Sequence, residues 1–299
     1  MELIELLKTN SFFFIFTVTV FGLTVGSFLN VVIHRLPLMM QREWREQCTE
    51  FLAPDTETEN TNTTKVEKQE KYNLVVPRSA CPKCGHQITA MENIPVLCYL
   101  WLKGRCAKCK TPISKRYPII EIMTALLSVL VAWQFGFSWQ CLAALFLTWA
   151  LVALSVIDFD HKLLPDNITL PFLWIGLVLN LLGLFTDSSS SIIGAIAGYL
   201  SLWSVYWAFK LLTGKEGMGY GDFKLLSMLG AWMGWQSLPG IVLLSSFVGA
   251  LIGIGLIVFR GRDKNIPIPF GPYLAIAGWI YLLWGDQITN MYFSIAGIQ

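Results

Sequence analysis

The stretch WQCLAALFLTWALVALSVI, residues 139–157, carries no charged side chain and is followed at once by Asp158. A run of about 20 apolar residues is the length that an α-helix needs to cross the hydrocarbon core of a bilayer. Further apolar runs lie on both sides of it, at 12–33, 118–135, 168–185, 192–212, 238–259 and 269–284, with a shorter one at 223–235. The sequence therefore predicts an all-α polytopic membrane protein with about eight transmembrane helices.

The overall composition agrees with that architecture. Hydrophobic residues make up 54% of the 299 residues and charged residues only 14%, whereas about a quarter of the residues of a soluble domain are charged. The N-terminus, with Glu2, Glu5 and a single Lys8, lacks the basic region of a cleavable signal peptide. We therefore expect 12–33 to be a permanent first span.

The basic residues indicate the orientation, because the cytoplasmic loops of membrane proteins carry an excess of lysine and arginine. Of the 22 basic residues, 14 lie between His34 and Tyr117. With the N-terminus outside and eight spans, 21 of the 22 lie in or at the edges of the cytoplasmic segments, which are 34–117, 158–167, 213–222 and 260–268. The pattern therefore predicts periplasmic N- and C-termini. A re-entrant segment at 223–235 is disfavoured, because it would leave the basic residues of 260–264 outside.

The first cytoplasmic segment is the only sizeable part outside the predicted spans, and it divides into two. Residues 53–70 are acidic and threonine-rich, with too few apolar residues to offset the entropy of folding, so we expect a flexible acidic linker. Aromatic residues, prolines and paired cysteines return at about 72–117, which indicates a small folded module. The predicted organisation is a first transmembrane helix within 1–33, a cytoplasmic loop at 34–117 and a transmembrane core at 118–299.

Cysteines in the module follow the spacing of a zinc site. Cys81 and Cys84 form one CxxC pair and, after 21 intervening residues, Cys106 and Cys109 form another. Four thiolates fill a tetrahedral zinc site and leave no position for water, so the pattern predicts a structural zinc. A cytoplasmic location disfavours disulfides, and so small a module needs metal binding for its folding free energy. The alternative is four ordinary buried or redox cysteines. Cys98, between the pairs, is expected to be structural, with the role of a substitute ligand as the alternative.

Two acidic residues adjoin apolar runs in separate cytoplasmic segments. Asp158 directly follows the run 139–157, and Asp222 ends the sequence GMGYGD, residues 217–222, just before the short run. Ionisable groups at membrane depth are costly and are therefore functional candidates. Two carboxylates a few ångström apart cannot both ionise, so one can act as a general base on water and the other as an acid. The pair therefore indicates hydrolysis of a peptide bond by an aspartate dyad.

The neighbouring residues have more ordinary interpretations. Asp160 is expected to be solvated or to contact the catalytic residues from outside the site. Asp166 follows a proline at the start of the fourth span, which is typical of a helix N-cap. Gly219 and Gly221 are expected to let the backbone approach a substrate, with close packing as the alternative. Asp158 has the alternative role of a charge at the membrane edge. The three histidines of the chain form no evident catalytic triad.

A set of motifs along nearly the whole chain resembles the bacterial type IV prepilin peptidases, a family of GxGD-type membrane aspartyl proteases. The motifs occur in the order of that family. They are GSFLNVVIHRLP at 26–37, the two CxxC pairs, RYP at 116–118 with Glu121, the segment 158–166, GMGYGD at 217–222 and PIPFGP at 267–272. A GxGD motif alone would be a weak signal, whereas the ordered set is highly specific.

The resemblance implies two activities and a location in the bacterial inner membrane. The first is cleavage, at the cytoplasmic face, of the short basic leader of type IV prepilins and pseudopilins, by catalytic aspartates at the positions of Asp158 and Asp222. The second is methylation of the new N-terminal residue, usually phenylalanine, with S-adenosyl-L-methionine as the methyl donor. Together they would support pilus assembly and type II secretion. The expected partners are prepilins, pseudopilins and membrane lipid, with no nucleic acid.

Some polar residues and some alternative functions stay open. Glu92 and Glu121 would attract a basic leader or serve as solvated or anchoring charges. His34 and Arg35 would anchor the membrane edge or take part in methyl transfer. The alternative functions are a transporter or channel with a zinc module, a peptidase that lacks methylation, and a membrane scaffold. The glycine-rich approach to Asp222 disfavours the transporter and the scaffold.

Overall fold

The computed structural model describes residues 2–52, 72–260 and 269–296, which are helical over most of their length. The α-helices in this part of the chain are α1 (Glu2–Thr9), α2 (Ser11–Leu52), α3 (Leu97–Trp101), α4 (Arg116–Phe135), α5 (Trp139–His161), α6 (Asp166–Leu181), α7 (Ser188–Thr213), α8 (Tyr220–Met233), α9 (Leu238–Arg260) and α10 (Gly271–Ala296). The prediction of an all-α protein is confirmed. The linker predicted at 53–70 lies outside the described residues.

Five stretches of helix are long and apolar enough to cross a membrane. They are α2, α4, α5, α7 and the segment Trp235–Gly255, which includes most of α9. The shorter helix α6 is also apolar. The remaining predicted runs, 223–235 and 269–284, fall in α8 and α10, and α10 departs from helical geometry at Trp284, where the predicted run ends. The described residues thus contain five candidate spans, at positions that the sequence predicts.

Helix α2 extends well beyond the predicted first span. The sequence predicts a span at 12–33 and then a loop, but the helix continues to Leu52 and passes through Pro37. Its 42 residues correspond to about 63 Å, roughly twice the thickness of the hydrocarbon core. Residues 41–52 are exposed throughout. The apolar run marks the membrane span but not the helix end, because Gln, Glu and Arg continue a helix outside lipid as readily as inside.

One compact unit consists of Met1–Gly22 and Thr124–Gln299, and α8 is its most buried helix. Helix α8 packs against α7, where the backbones of Gly194 and Gly230 touch and leave no room for a side chain. A Cβ atom on Gly198 would lie 2.7 Å from the carbonyl oxygen of Leu226. Small residues at such contacts are typical of helices packed in lipid, where dispersion contacts drive association.

The C-terminal end of α8 is held by one buried amide side chain. Asn180 of α6 donates from Nδ2 to the carbonyl oxygens of Ala231 and Trp232, at 2.8 and 2.9 Å. Its Oδ1 accepts hydrogen bonds from two backbone N–H groups of the loop after α6. Asn180 therefore satisfies carbonyl groups that a helix end leaves without partners. These bonds hold the helix that carries Asp222 in place.

The second compact unit is Leu23–Met123, which contains the cysteine module. Asn30 of α2 donates from Nδ2 to the carbonyl oxygen of Tyr117 at 3.2 Å. Arg35, also on α2, donates to the carbonyl oxygens of Asn73 and Pro77, at 2.9 and 2.7 Å. Buried polar side chains on α2 therefore hold both ends of the segment that carries the module.

Candidate aspartate site and four-cysteine centre

Asp158 lies in the last turn of α5, at the end of the long apolar run. The residues of 148–154 that precede it are all buried, and Asp158 itself is only 6% exposed. The helix ends at Lys162, whose φ of 54° is left-handed and whose N–H donates to the carbonyl oxygen of Asp158 at 2.8 Å. The local sequence thus places an ionisable side chain at a helix end in apolar surroundings. Such a placement costs free energy, so the side chain is a functional candidate.

Asp222 lies in the first turn of α8. Gly219 precedes the helix in an extended conformation, with φ −86° and ψ 151°, and accepts the backbone N–H of Asp222 at 3.3 Å. Asp222 is 8% exposed, and Phe223 beside it is fully buried. The unpaired N–H groups of a first helical turn favour a nearby carboxylate. The two candidate acids therefore lie at opposite ends of their helices.

The two carboxylates belong to one compact unit and lie near enough for the charge of Asp158 to act on Asp222. Oδ2 of Asp158 is buried and has no hydrogen-bond partner among the described residues. Gly271, at the start of α10, lies against it, and a Cβ atom on that glycine would be 2.6 Å from Oδ2. A buried carboxylate oxygen without a partner is unfavourable in a purely structural role. It is suited to hold a water molecule or a substrate atom.

The other acids of these loops are engaged elsewhere. Asp160 is exposed, as predicted. The N-cap prediction for Asp166 is wrong, because the N-cap of α6 is Pro165. The carboxylate of Asp166 instead binds Nζ of Lys224 at 2.7 and 2.8 Å, which joins the first turns of α6 and α8. The sequence contains no signal for this ion pair, since nothing in it places α6 beside α8.

The glycines before Asp222 have different roles. A Cβ atom on Gly221 would lie 2.8 Å from Cβ of Leu164, so this glycine permits close packing against the loop after α5. Nothing lies within 4 Å of the corresponding position on Gly219. The packing alternative therefore holds for Gly221, while open space lies beside Gly219.

The four cysteines of the CxxC pairs converge on one point. Their Sγ atoms all lie within 4.8 Å of one another, with Cys81 and Cys109 separated by 3.7 Å and Cys84 and Cys106 by 3.9 Å. A tetrahedral zinc ion with bonds of about 2.3 Å places its sulfur ligands roughly 3.8 Å apart. The donor set and its spacing therefore fit one tetrahedral metal ion.

The surroundings of the cluster act differently on its thiols, since desolvation by burial and the neighbouring cysteines raise the pKa of the Cys84 thiol to about 11. The hydrogen bond with the Thr111 hydroxyl lowers the pKa of the Cys109 thiol to about 6. The thiolate is the form that binds a metal. Cys98 does not join the cluster, because its Sγ donates to the carbonyl oxygen of Met91 at 2.6 Å.

Three polar residues left open by the sequence are held inside the second unit. Glu92 accepts the backbone N–H of Thr89 at 2.9 Å and pairs with Nε2 of His86 at 3.1 Å. The bonds from Thr89 and then from His86 lower the pKa of Glu92 to about 2. Glu121 is 7% exposed and accepts the N–H of Val96 at 2.8 Å. Arg35, also 7% exposed, binds the two carbonyl groups described above. These contacts favour the anchoring alternative for Glu92 and Glu121, whereas Arg35 binds backbone carbonyl groups of the module, a role that the sequence did not indicate.

Two family models match the chain over most of its length. The Bacterial Peptidase A24 N-terminal domain matches residues 20–135, and the Type IV leader peptidase family matches residues 145–254. The chain belongs to the type IV leader peptidase family, which confirms the resemblance noted in the sequence.

Individual relatives match from end to end. The prepilin leader peptidase/N-methyltransferase of Aeromonas salmonicida (strain A449) is 59% identical over 292 residues, which is 98% of each chain. The protein of the same name from Pseudomonas aeruginosa is 56% identical over 299 residues and covers 100% of both chains. The one from Dichelobacter nodosus is 49% identical over 278 residues, 93% of this chain and 94% of its own. No solved structure matches the chain.

Proposed function

We propose that this protein removes the leader peptide of prepilins and then methylates the new N-terminal residue, the two activities that the names of its full-length relatives state. The observation that supports peptide cleavage most directly is a pair of buried aspartates, far apart in sequence, in one compact unit. The substrates are type IV prepilins and pseudopilins with a basic leader, and the products serve pilus assembly and type II secretion.

Asp158 and Asp222 are the proposed catalytic pair. Close carboxylates share one proton, so the pair titrates as a unit. The ionised member takes a proton from the attacking water, and the protonated member donates its proton to the oxygen of the scissile carbonyl group. The buried Oδ2 of Asp158 supports this assignment, because a buried carboxylate oxygen without a protein hydrogen-bond partner is suited to contact a water molecule or a substrate atom.

The proposed topology has eight spans, with α8 as the short one, and places both termini in the periplasm. The basic residues support it, since all but Lys8 then lie in or beside cytoplasmic segments. Asp158 and Asp222 then meet at the cytoplasmic face, where a prepilin with an apolar helix in the bilayer presents its scissile bond. A reporter fused after Gln299 should register as periplasmic and one near Lys264 as cytoplasmic. A cytoplasmic C-terminus would contradict the eight-span count.

The proposed organisation has a first transmembrane span within 1–33, a cytoplasmic segment at 34–117 that includes the end of α2, and an aspartyl protease core at 118–299. Zinc held by Cys81, Cys84, Cys106 and Cys109 would cross-link the module and supply folding free energy. Four sulfur ligands leave no place for a water molecule, so catalysis stays with the aspartates. S-adenosyl-L-methionine is the proposed methyl donor.

The deciding experiment is incubation of the purified protein with a prepilin, with and without S-adenosyl-L-methionine, followed by mass spectrometry of the product. We expect a product that lacks the leader in both reactions and that gains one methyl group only with the donor. A cleaved product without the methyl group would support the peptidase that lacks methylation. An intact prepilin in both reactions would support the transporter or the scaffold.

A further inference from the structure

The cysteine module presents an apolar surface that the proposed chemistry does not use. Leu97, Leu100 and Trp101 of α3 are 66%, 65% and 85% exposed. Residues at positions i, i+3 and i+4 share one face of a helix, so these side chains form one surface, the α3 face. The apolar stripe of a helix in a water-soluble domain normally faces the core. An apolar face turned outward indicates an apolar partner.

The opposite side of α3 is bound to the module. Sγ of Cys98 donates to the carbonyl oxygen of Met91 at 2.6 Å. The hydroxyl of Tyr99 donates to the carbonyl oxygen of Ile113 at 3.4 Å. Gly104 makes room for Tyr99, since a Cβ atom there would lie 2.8 Å from the tyrosine hydroxyl oxygen. These contacts determine which side of α3 faces outward. The exposure of the α3 face is therefore part of the fold of the module.

A pocket of about 500 Å³ adjoins the α3 face and shares Trp101 with it. Its other lining residues are Leu102, Lys103, Arg105 and Lys110, and we call it the basic pocket. All three of its cationic residues are exposed, and no acidic residue lines it. The backbone φ angles of Lys103 and Lys110 are positive, at 53° and 58°, which is uncommon for residues other than glycine. The pocket combines positive charge with apolar side chains.

We propose that the α3 face and the basic pocket dock the module on anionic phospholipid at the surface of the membrane. Tryptophan is typical of the membrane–water interface, and leucine side chains insert at the boundary of the acyl chains. Lysine and arginine bind the phosphate groups of anionic lipids, and each adds to the attraction. The surface thus has the composition of an interfacial membrane anchor.

The position of the module in the chain and its charge favour lipid over a protein partner. Helices α2 and α4, on either side of the module in sequence, are candidate spans, and α4 begins at Arg116, shortly after Lys110. The connection keeps this surface close to a bilayer. The leader of the proposed substrate is basic, so the basic pocket would repel it. The inference does not depend on the catalytic assignment and takes from the proposed function only the cytoplasmic side and the basic leader of the substrate.

The test uses the full-length protein in nanodiscs whose lipids carry bromine on the acyl chain near the headgroup, where bromine quenches tryptophan fluorescence on contact. The chain has 12 tryptophans, so the signal of Trp101 is the difference between the wild type and Trp101→Phe. We expect this signal to be quenched in discs with phosphatidylglycerol and not in discs of phosphatidylcholine alone. High salt should restore it, because salt screens the attraction between exposed charges.

A charge variant and a matched control test whether the quenching of Trp101 depends on the cations of the basic pocket. The triple variant K103Q/R105Q/K110Q should lose the quenching, because three cations near an anionic surface shift the docking equilibrium on the order of 100-fold. The control K83Q/K108Q/K115Q removes the same charge from exposed positions of the same module outside the pocket. It should keep the quenching. Equal metal content in both variants reports that the module is folded.

Three results would overturn the proposal: no quenching of Trp101 with phosphatidylglycerol, equal quenching with both lipids, or equal loss in both triple variants. Release by glycerol 3-phosphate at constant ionic strength would also overturn it, in favour of a soluble phosphate ligand. The wild-type comparison between the two lipids decides the question even if a charge variant does not fold.

Discussion

Helix α8, which carries Asp222, and the module that carries the four cysteines are stabilised in different ways. Ten of the 14 residues of α8 are buried, and Phe223, Leu226 and Trp232 have no exposed surface. Between residues 72 and 115, by contrast, only Gly104 and Cys106 are buried. The first region is held by packing, whereas the second lacks an apolar core of its own. Cross-links through the metal ion proposed for the four cysteines would take the place of a core in the module.

The largest expected effect is on chemistry in the packed region. Asp158→Asn or Asp222→Asn should each lower the rate of prepilin cleavage on the order of 10³-fold or more, because asparagine cannot transfer the proton. The protein should still insert and accumulate, since the side chains are nearly equal in size. Asp160→Asn is the matched control and should retain activity, because Asp160 is exposed. Substantial cleavage by either of the first two variants would contradict the assignment.

The second largest expected effect distinguishes the cysteine module from α8. Cys106→Ser should release the metal from a chain that otherwise binds about one zinc ion, since a structural site weakens with each lost ligand. Amide exchange in 72–117 should then accelerate on the order of 100-fold, while the amides of α8 stay protected. Cys48→Ser, at an exposed cysteine outside the cluster, should change neither the metal content nor the rate of amide exchange.

Loss of the metal should act through stability, substrate docking or methyl transfer, and the cleavage chemistry should not need the metal directly. Removing zinc with a chelator should therefore lower the cleavage rate far less than Asp158→Asn does. Elemental analysis that finds no zinc, together with free alkylation of the four cysteines in the native protein, would refute the metal site. Equal loss of protection in α8 and in the module would show that they fold as one unit.

A smaller effect tests how the packed region is held. Gly194→Ala should lower the free energy of unfolding by about 1–3 kcal/mol, because its Cβ atom overlaps the backbone of Gly230. Gly255→Ala on α9 is the control, since nothing lies within 4 Å of its added Cβ atom. That control should be neutral or slightly stabilising. Unfolding in detergent gives both values. Equal effects would show that the α7–α8 contact does not contribute measurably to the free energy of unfolding.

The smallest expected effect concerns the ion pair between α6 and α8. Lys224→Met should lower the free energy of unfolding by less than about 1 kcal/mol. The side chains of Lys224 and Asp166 are 29% and 47% exposed, so the pair is partly screened by solvent. A double-mutant cycle with Asp166→Asn measures the coupling. A coupling above about 3 kcal/mol would mean that this end of α8 is as dry as its centre.

The sequence by itself determined the features that depend on composition and on local spacing. A run such as 139–157 predicts a span because about 20 residues without charge are favourable in lipid whatever surrounds them. The CxxC pairs predict the cysteine cluster because their short spacing already brings two thiols to each turn. The ordered motifs likewise identified the family, which the family models confirm.

Only the tertiary structure decided which helices meet. The contact of Gly194 with Gly230, the packing of Gly221 on Leu164 and the ion pair of Asp166 with Lys224 are absent from any local pattern. A helix in lipid is apolar on every side, so its sequence has no polar face from which to infer the buried one. In the same way, the sequence predicts an ionisable Asp158 near the membrane but not the residues that surround it. Only the packing of Gly271 reveals that its Oδ2 is buried without a partner.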